Sequence, residues 1–234
     1  MLKLNNWTVA YASTTILHQI HHSFEAGAIH GILGQNGAGK STLFNSLYGM
    51  ITPTEGNCLF QGQELAHDQI AYLQTHNHFY PFMKGREYLE LIAQKESGFD
   101  PAHWNQLFQL PLHQFISQYS TGMKKKLAFL GIIAQNKPII ILDEPFNGVD
   151  IESNEKIIQV LEHWRKQGRI LLLSSHILST LTQSCTYINH LHQGAFSQTY
   201  ATNQYADLEQ IVQGWARNNV QNVLAKDSSN FSLL

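Results

Sequence analysis

The chain has 234 residues, a net charge of -2, and 43% hydrophobic against 14% charged residues. That is enough apolar material for a sizeable core and too little charge for a disordered chain. Fifteen Lys+Arg against seventeen Asp+Glu leave neither the basic footprint of a nucleic-acid binder nor an acidic tail. At roughly 100–200 residues per domain, one domain over 1–234 is expected, with a C-terminal tail at about 217–234. The two cysteines, Cys58 and Cys185, are far apart. They form neither a disulfide framework nor a paired-cysteine metal motif, and suit a reducing compartment. No window holds about 18 consecutive apolar residues, and the N-terminus lacks a secretory stretch. A cytoplasmic chain is expected, reaching a membrane only through a partner.

Residues 1–33 read as strands. Trp7, Val9 and Tyr11 alternate, and Ala28 to Leu33 is a buried run. A Gly-rich stretch follows, and then Leu43, Phe44, Leu47 and Tyr48 recur at helical spacing. Thr52-Pro53-Thr54-Glu55-Gly56 breaks that helix. Short strands are predicted at Asn57–Phe60 and Ile70–Leu73. Residues 85–118 change to helical spacing, with Tyr88, Leu89, Leu91 and Ile92 in one helix and Trp104, Leu107 and Phe108 in another. Further helices are predicted over 123–135, 152–167 and 206–216. Buried strands are predicted at 139–142 and 170–174. Tyr187–Leu191 and Ala195–Gln198 flank Gln193-Gly194 as a hairpin. The tail from about Lys226 is polar and expected to be loose.

The Gly-rich stretch is Gly34-Gln35-Asn36-Gly37-Ala38-Gly39-Lys40-Ser41-Thr42. It matches G-x-x-x-x-G-K-[ST] at every fixed position, between a predicted strand and a predicted helix. Glycines let successive backbone N–H groups turn inward toward phosphate oxygens, and the helix start adds its positive end. Lys40 can reach outer phosphates, and the Ser41 hydroxyl can ligate Mg²⁺. Ile139 to Leu142 ends in Asp143-Glu144. Such a strand delivers one carboxylate to the metal and a second to a water.

The remaining motifs resemble those of ABC transporter ATP-binding subunits over about residues 2–215. Tyr119-Ser120-Thr121-Gly122-Met123 stands where the family has L-S-G-G-Q, and Asn147-Gly148-Val149-Asp150 resembles its D-loop. His176 resembles the switch histidine. Tyr11, 23 residues before Gly34, resembles the aromatic that stacks on adenine. Only Ser120 and Gly122 match the strict signature, and the Ser-x-Gly-Met-Lys-Lys-Lys version is similar to an exporter-type subset. Tyr72-Leu73-Gln74-Thr75 leaves open whether Gln74 or Thr75 fills the place of the family's Q-loop glutamine, a metal ligand.

The resemblance implies an α/β fold. A phosphate-loop (RecA-like) core carries an N-terminal antiparallel β subdomain and an inserted helical subdomain at about 76–135. It also implies ATP and Mg²⁺, a second ATP-binding subunit in a homodimer or heterodimer, and a separate multi-span membrane permease. Residues 34–42, Tyr11 and Asp150 would hold ATP, joined by Ser120 and Gly122 of the second subunit. Ser41, Asp143 and Gln74 would hold the metal, and Glu144 and His176 would serve hydrolysis. Peripheral attachment to the inner face of the membrane follows. No nucleic-acid partner is expected. The alternative is a soluble ATPase on nucleic acid or the ribosome, but Ser120 follows Lys40 by only 80 positions, too few for a long coiled coil. A kinase or GTPase would not explain Ser120, Gly122, Asp150 and His176 together.

Two features stand outside that frame. Lys124, Lys125 and Lys126 open a predicted helix, where cations oppose the dipole by about 0.3–1 kcal/mol each. An anion there or a solvated face are the two readings. The chain has 13 histidines, with His76/His78 and His190/His192 spaced by two. Surface histidines or a metal pair lacking a third ligand are the readings there.

Overall fold

The structure, a computed structural model, describes residues 1–93, 98–212 and 214. Two compact units divide it, Met1–Thr199 and Tyr200–Leu234.

Strands β1 (Leu2–Tyr11) and β2 (Thr14–Phe24) pair antiparallel. With β4 (Glu55–Phe60) and β5 (Gln63–Glu64) they make a sheet ordered β2-β1-β4-β5. Leu2, Leu4, Trp7 and Val9 of β1 are all buried. The odd step from Leu4 to Trp7 stays on one face because the register shifts there and Asn6 takes φ 51°. A bulge absorbs the extra residue.

The second sheet holds β3 (Ala28–Leu33), β6 (Ile70–Leu73), β7 (Ile139–Asp143), β8 (Ile170–Ser174), β9 (Tyr187–His192) and β10 (Ala195–Ala201), in the order β10-β9-β3-β8-β7-β6. From β9 to β6 the neighbours run parallel. β3, β7 and β8 are buried throughout, which is why their sequences read as continuous apolar runs rather than alternation. The register sets Asp143 opposite Ser174, and Leu73 opposite Leu142. Gly34, Thr75, Glu144 and Ser175 therefore leave the sheet at one edge, the carboxyl ends of parallel strands, where α/β folds bind ligands.

Helix α1 (Lys40–Tyr48) buries Leu43, Phe44 and Leu47 in a core shared by both sheets. Each such side chain stabilises by about 1.5–3 kcal/mol when fully buried. Trp7 Nε1 donates to buried Ser46 Oγ at 3.0 Å, tying β1 to the same helix. The body of α1 is thus fixed by residues far from it in sequence.

Between β6 and β7 lie α2 (Gly85–Ile92), α3 (Pro101–Trp104) and α4 (Thr121–Gln135). Past β7 come α5 (Ile151–Lys166) and α6 (Leu178–Ser184). The expected α/β fold class is found. Helix α4 begins at Thr121, two residues before its apolar spacing does, because Ser120 Oγ accepts from the Met123 N–H at 3.2 Å and caps it. The helix expected through Trp104, Leu107 and Phe108 is instead one turn of α-helix and a 3₁₀ turn over Asn105–Leu107. Asn105 bonds both the N–H and the carbonyl of Leu110 at 2.9 Å. That local chemistry ends the helix. α6 was not anticipated, since Leu178–Ser184 is rich in Ser and Thr. In the second unit, residues 205–212 are helical, beginning one residue before the predicted 206–216. Residues 213, 215–216 and the tail lie outside the described residues.

Candidate functional site

Gly34 is the first residue past β3. A Cβ there would lie 2.6 Å from the Leu191 carbonyl oxygen, so β9 passes too close for any side chain. Gly37 and Gly39 take φ +82° and +106°, the left-handed region. Gly37 faces open space, with nothing within 4 Å of where a Cβ would stand. Gly39 is the N-cap of α1 and no side chain caps it. The first N–H groups of α1 are left for a ligand, and an anion is the ligand they suit.

A cavity of about 390 Å³ opens over that helix start. Asn36, Gly37, Gly39, Lys40, Ser41 and Thr42 form its floor. Tyr11 and Ile16 form one wall, and Thr75, Asp143 and Glu144 another. Gly34, Gln35 and Ala38 shape the loop without lining the space. Lys40 Nζ donates to the carbonyl oxygens of Gly34 at 2.6 Å and Gln35 at 3.3 Å. Burial pulls its pKa below the ordinary lysine value, while Glu144 and Asp143 push it back up.

Asp143 is buried at the end of β7. Its Oδ2 accepts from Thr75 Oγ1 at 2.8 Å and Ser41 Oγ at 3.2 Å, and its Oδ1 accepts from Ser174 Oγ. Ser174 Oγ also accepts from the Glu144 N–H at 3.1 Å, and Glu144 itself sits at φ 51°. His176 Nδ1 lies 2.9 Å from Glu144 Oε2. Ser41, Thr75 and Asp143 offer a cluster of hard oxygen donors, the set that suits Mg²⁺. Gln74 is not part of it. Its Nε2 turns to Met50 Sδ at 3.5 Å and lines a separate groove. Of the two residues the sequence left open, it is Thr75, two positions past β6, whose hydroxyl reaches Asp143.

Ser120, Gly122 and Asp150 do not line the cavity. Gly122 packs on the loop before α5, where a Cβ would stand 2.7 Å from the Gly148 carbonyl oxygen. Asp150 caps α5, accepting from the Ser153 N–H and Ser153 Oγ at 2.9 Å each, and pairs with Lys126 Nζ at 2.6 Å. Lys126 and then Ser153 hold its carboxyl well below the usual carboxylate range. The lysine run therefore reads differently from either expectation for two of its members. Lys126 is taken by Asp150, and Lys125 is buried and donates to the Thr75 carbonyl oxygen at 3.3 Å.

Ser174, Ile16 and Lys125 escaped the sequence reading as site residues. A serine closing the otherwise apolar run Ile170–Ser174, beside an acid-ended strand, was the available signal for the first. Among the described residues, no group of three or more His, Cys, Asp or Glu side chains is placed to hold a metal. His190 stacks on His192 at 5.7 Å and bonds Ser197.

The profile of the ABC transporter family matches residues 17–147. The chain belongs to that family. It is similar to the lantibiotic transport ATP-binding protein SrtF of Streptococcus pyogenes, 27% identical over 83% of this chain and 88% of that one. It is also similar to the bacitracin transport ATP-binding protein BcrA of Enterococcus faecalis, 29% identical over 83% and 67%. A solved ATP-binding subunit of an ABC transporter superposes with TM-score 0.80 at 26% identity, covering 87% and 91% of the two chains. The dimeric MJ0796 cassette solved with ADP and Pi shares the fold, with TM-score 0.75 at 22% identity over 86% and 99%. As an ATP-binding subunit of the ABC transporter family, this chain is an ATPase. Among the described residues no helix is long and apolar enough to cross a membrane.

Proposed function

We propose that the chain is one of two ATP-hydrolysing subunits that drive a separate multi-span permease in the export direction. It would sit peripherally on the inner face of the membrane through that permease. The observation that carries the two-subunit reading is the division of motifs. Lys40, Ser41, Asp143 and Glu144 line one cavity, whereas Ser120 and Gly122 lie outside it. A second copy facing the first would bring its Ser120 and Gly122 over the outer phosphate. Export rests on the resemblance of the signature to the exporter-type subset, and the names of SrtF and BcrA accord with a transport role.

In this reading Tyr11 stacks on the base. Lys40 leaves the carbonyls of Gly34 and Gln35 to meet the outer phosphates, together with the N–H groups at the start of α1. Ser41, Thr75 and Asp143 would hold Mg²⁺, which would supply charge neutralisation for the phosphate oxygens. Glu144 orients the attacking water and draws on its proton. His176, bonded to Glu144, contacts the outer phosphate. Closure of the two copies reaches the permease through residues 74–90 and the helices that follow. Met50, Gln74, Tyr80 and Leu91 line a groove that includes part of that segment, and Tyr80 and Phe82 in the same segment are 71% and 81% exposed.

Glu144→Gln tests the assignment. It keeps ATP binding, blocks cleavage, and traps a dimer of about twice 26.5 kDa by light scattering only when MgATP is present. A variant that stays monomeric at high concentration and hydrolyses at the wild-type rate would overturn both the composite site and the role of Glu144.

A further inference from the structure

Lys125 is 6% exposed. A buried ammonium has three donors to satisfy and loses its hydration shell, so its placement has to be supported by what surrounds it. Its Nζ reaches out of α4 to the Thr75 carbonyl oxygen at 3.3 Å. Burial draws its pKa down, and the negative charges of Asp143 and Glu144 draw it back up. On the other side of the same residue, Thr75 Oγ1 donates to Asp143 Oδ2 at 2.8 Å. Thr75 is therefore held at both ends, by its carbonyl on the helix that Ser120 caps and by its hydroxyl on the acid strand. The adjacent Lys126 ties the same turn of α4 to Asp150 at 2.6 Å.

We propose that Lys125 is a positioning residue for hydrolysis, acting within one chain through Thr75 to set Asp143 and, through the shared Ser174 hydroxyl, Glu144. The inference rests on the roles given above to Asp143 and Glu144. A threonine side chain is too short to bridge the phosphate site and the helical lobe alone. The lysine spans the remaining distance from the opposite side. A long donor at position 125 and a short hydroxyl at position 75 thus work as one unit linking the acid strand to the start of α4.

The test compares Lys125→Met, which keeps the stem and deletes the charge, with Lys125→Gln, which retains a donor for the Thr75 carbonyl. Thr75→Val and the double variant Lys125→Met/Thr75→Val complete a cycle. Lys125→Met is expected to lower kcat by about 10-fold, the lower end for residues that orient ligand-bearing side chains. ATP affinity should stay within about twofold. Lys125→Gln should recover most of the loss, and the double variant should be no worse than the poorer single one. Hydrogen exchange without nucleotide adds a readout independent of turnover: amides 75–77 should exchange faster in Lys125→Met and at the wild-type rate in Lys125→Gln.

Wild-type kcat in Lys125→Met, or additive losses in the cycle, would overturn the proposal. So would equal losses in Met and Gln variants accompanied by a matching loss of ATP affinity. If Lys125→Met does not fold, Lys125→Gln and Thr75→Val decide: Gln must retain turnover and Val must lose it. Glu144→Gln run in parallel separates the two layers. Its failure to block cleavage removes the role of Glu144, while the Lys125 comparison still stands or falls on its own numbers.

Discussion

Ser174→Ala removes one buried hydroxyl that serves both site carboxylate residues. Ser174 is 0% exposed, donates to Asp143 Oδ1 and accepts from the Glu144 N–H at 3.1 Å. A hydrogen bond to a charged group is worth about 1.5–3 kcal/mol and one to a backbone amide about 0.5–1.5. Water cannot replace either partner at a position with no exposed surface. The expected cost is therefore about 2–4.5 kcal/mol, the sum of those two contributions. With a urea slope of about 3 kcal/mol/M, the unfolding midpoint of the nucleotide-free chain should fall by roughly 1 M. The slope itself should be unchanged, because Ala fills nearly the same space. ATPase turnover should fall in the same variant, since Asp143 loses one brace and Glu144 loses the anchor at its left-handed turn. ATP affinity should fall less, because the floor around Lys40 is untouched. A midpoint shift under ~0.2 M would refute the claim that this hydroxyl supports the acid strand.

Two further substitutions probe the walls and the signature. Tyr11 is 48% exposed at the rim of the cavity. Tyr11→Ala should weaken ATP binding by about 1–3 kcal/mol, roughly 5- to 150-fold, and Tyr11→Phe by less than about twofold, in a calorimetric titration. Equal affinities in all three proteins would make Tyr11 an ordinary strand end. Gly122→Ala puts a methyl 2.7 Å from the Gly148 carbonyl oxygen. Forcing that loop aside should cost about 1–3 kcal/mol in urea unfolding of the isolated chain. Wild-type stability would show that Gly122 is needed only by the partner's nucleotide.

The phosphate loop was legible in sequence because its chemistry is local. Gly37, Gly39, Lys40 and Ser41 work through backbone shape and helix start, both written within nine consecutive residues. The buried strands were legible too, since β3, β7 and β8 are apolar on both faces and have to lie inside a sheet. Asp143-Glu144 stood out as two acids ending such a run. Ser120 was visible as a signature serine, though its capping of α4 emerged only with the helix. What the sequence left open depended on contacts between distant segments. Whether Gln74 or Thr75 reached the acid strand could not be read from neighbours in sequence; in the fold Thr75 Oγ1 donates to Asp143 while Gln74 turns to Met50. Ser174 became a site residue only once β8 lay beside β7 with Asp143 opposite. The lysine run shows the same limit most plainly. A row of three cations at a helix start carries no record of its partners, and only packing sent Lys125 under Thr75 and Lys126 across to Asp150. Short-range geometry is encoded in neighbouring residues, but a hydrogen bond spanning 50 positions exists only when the chain has closed around it.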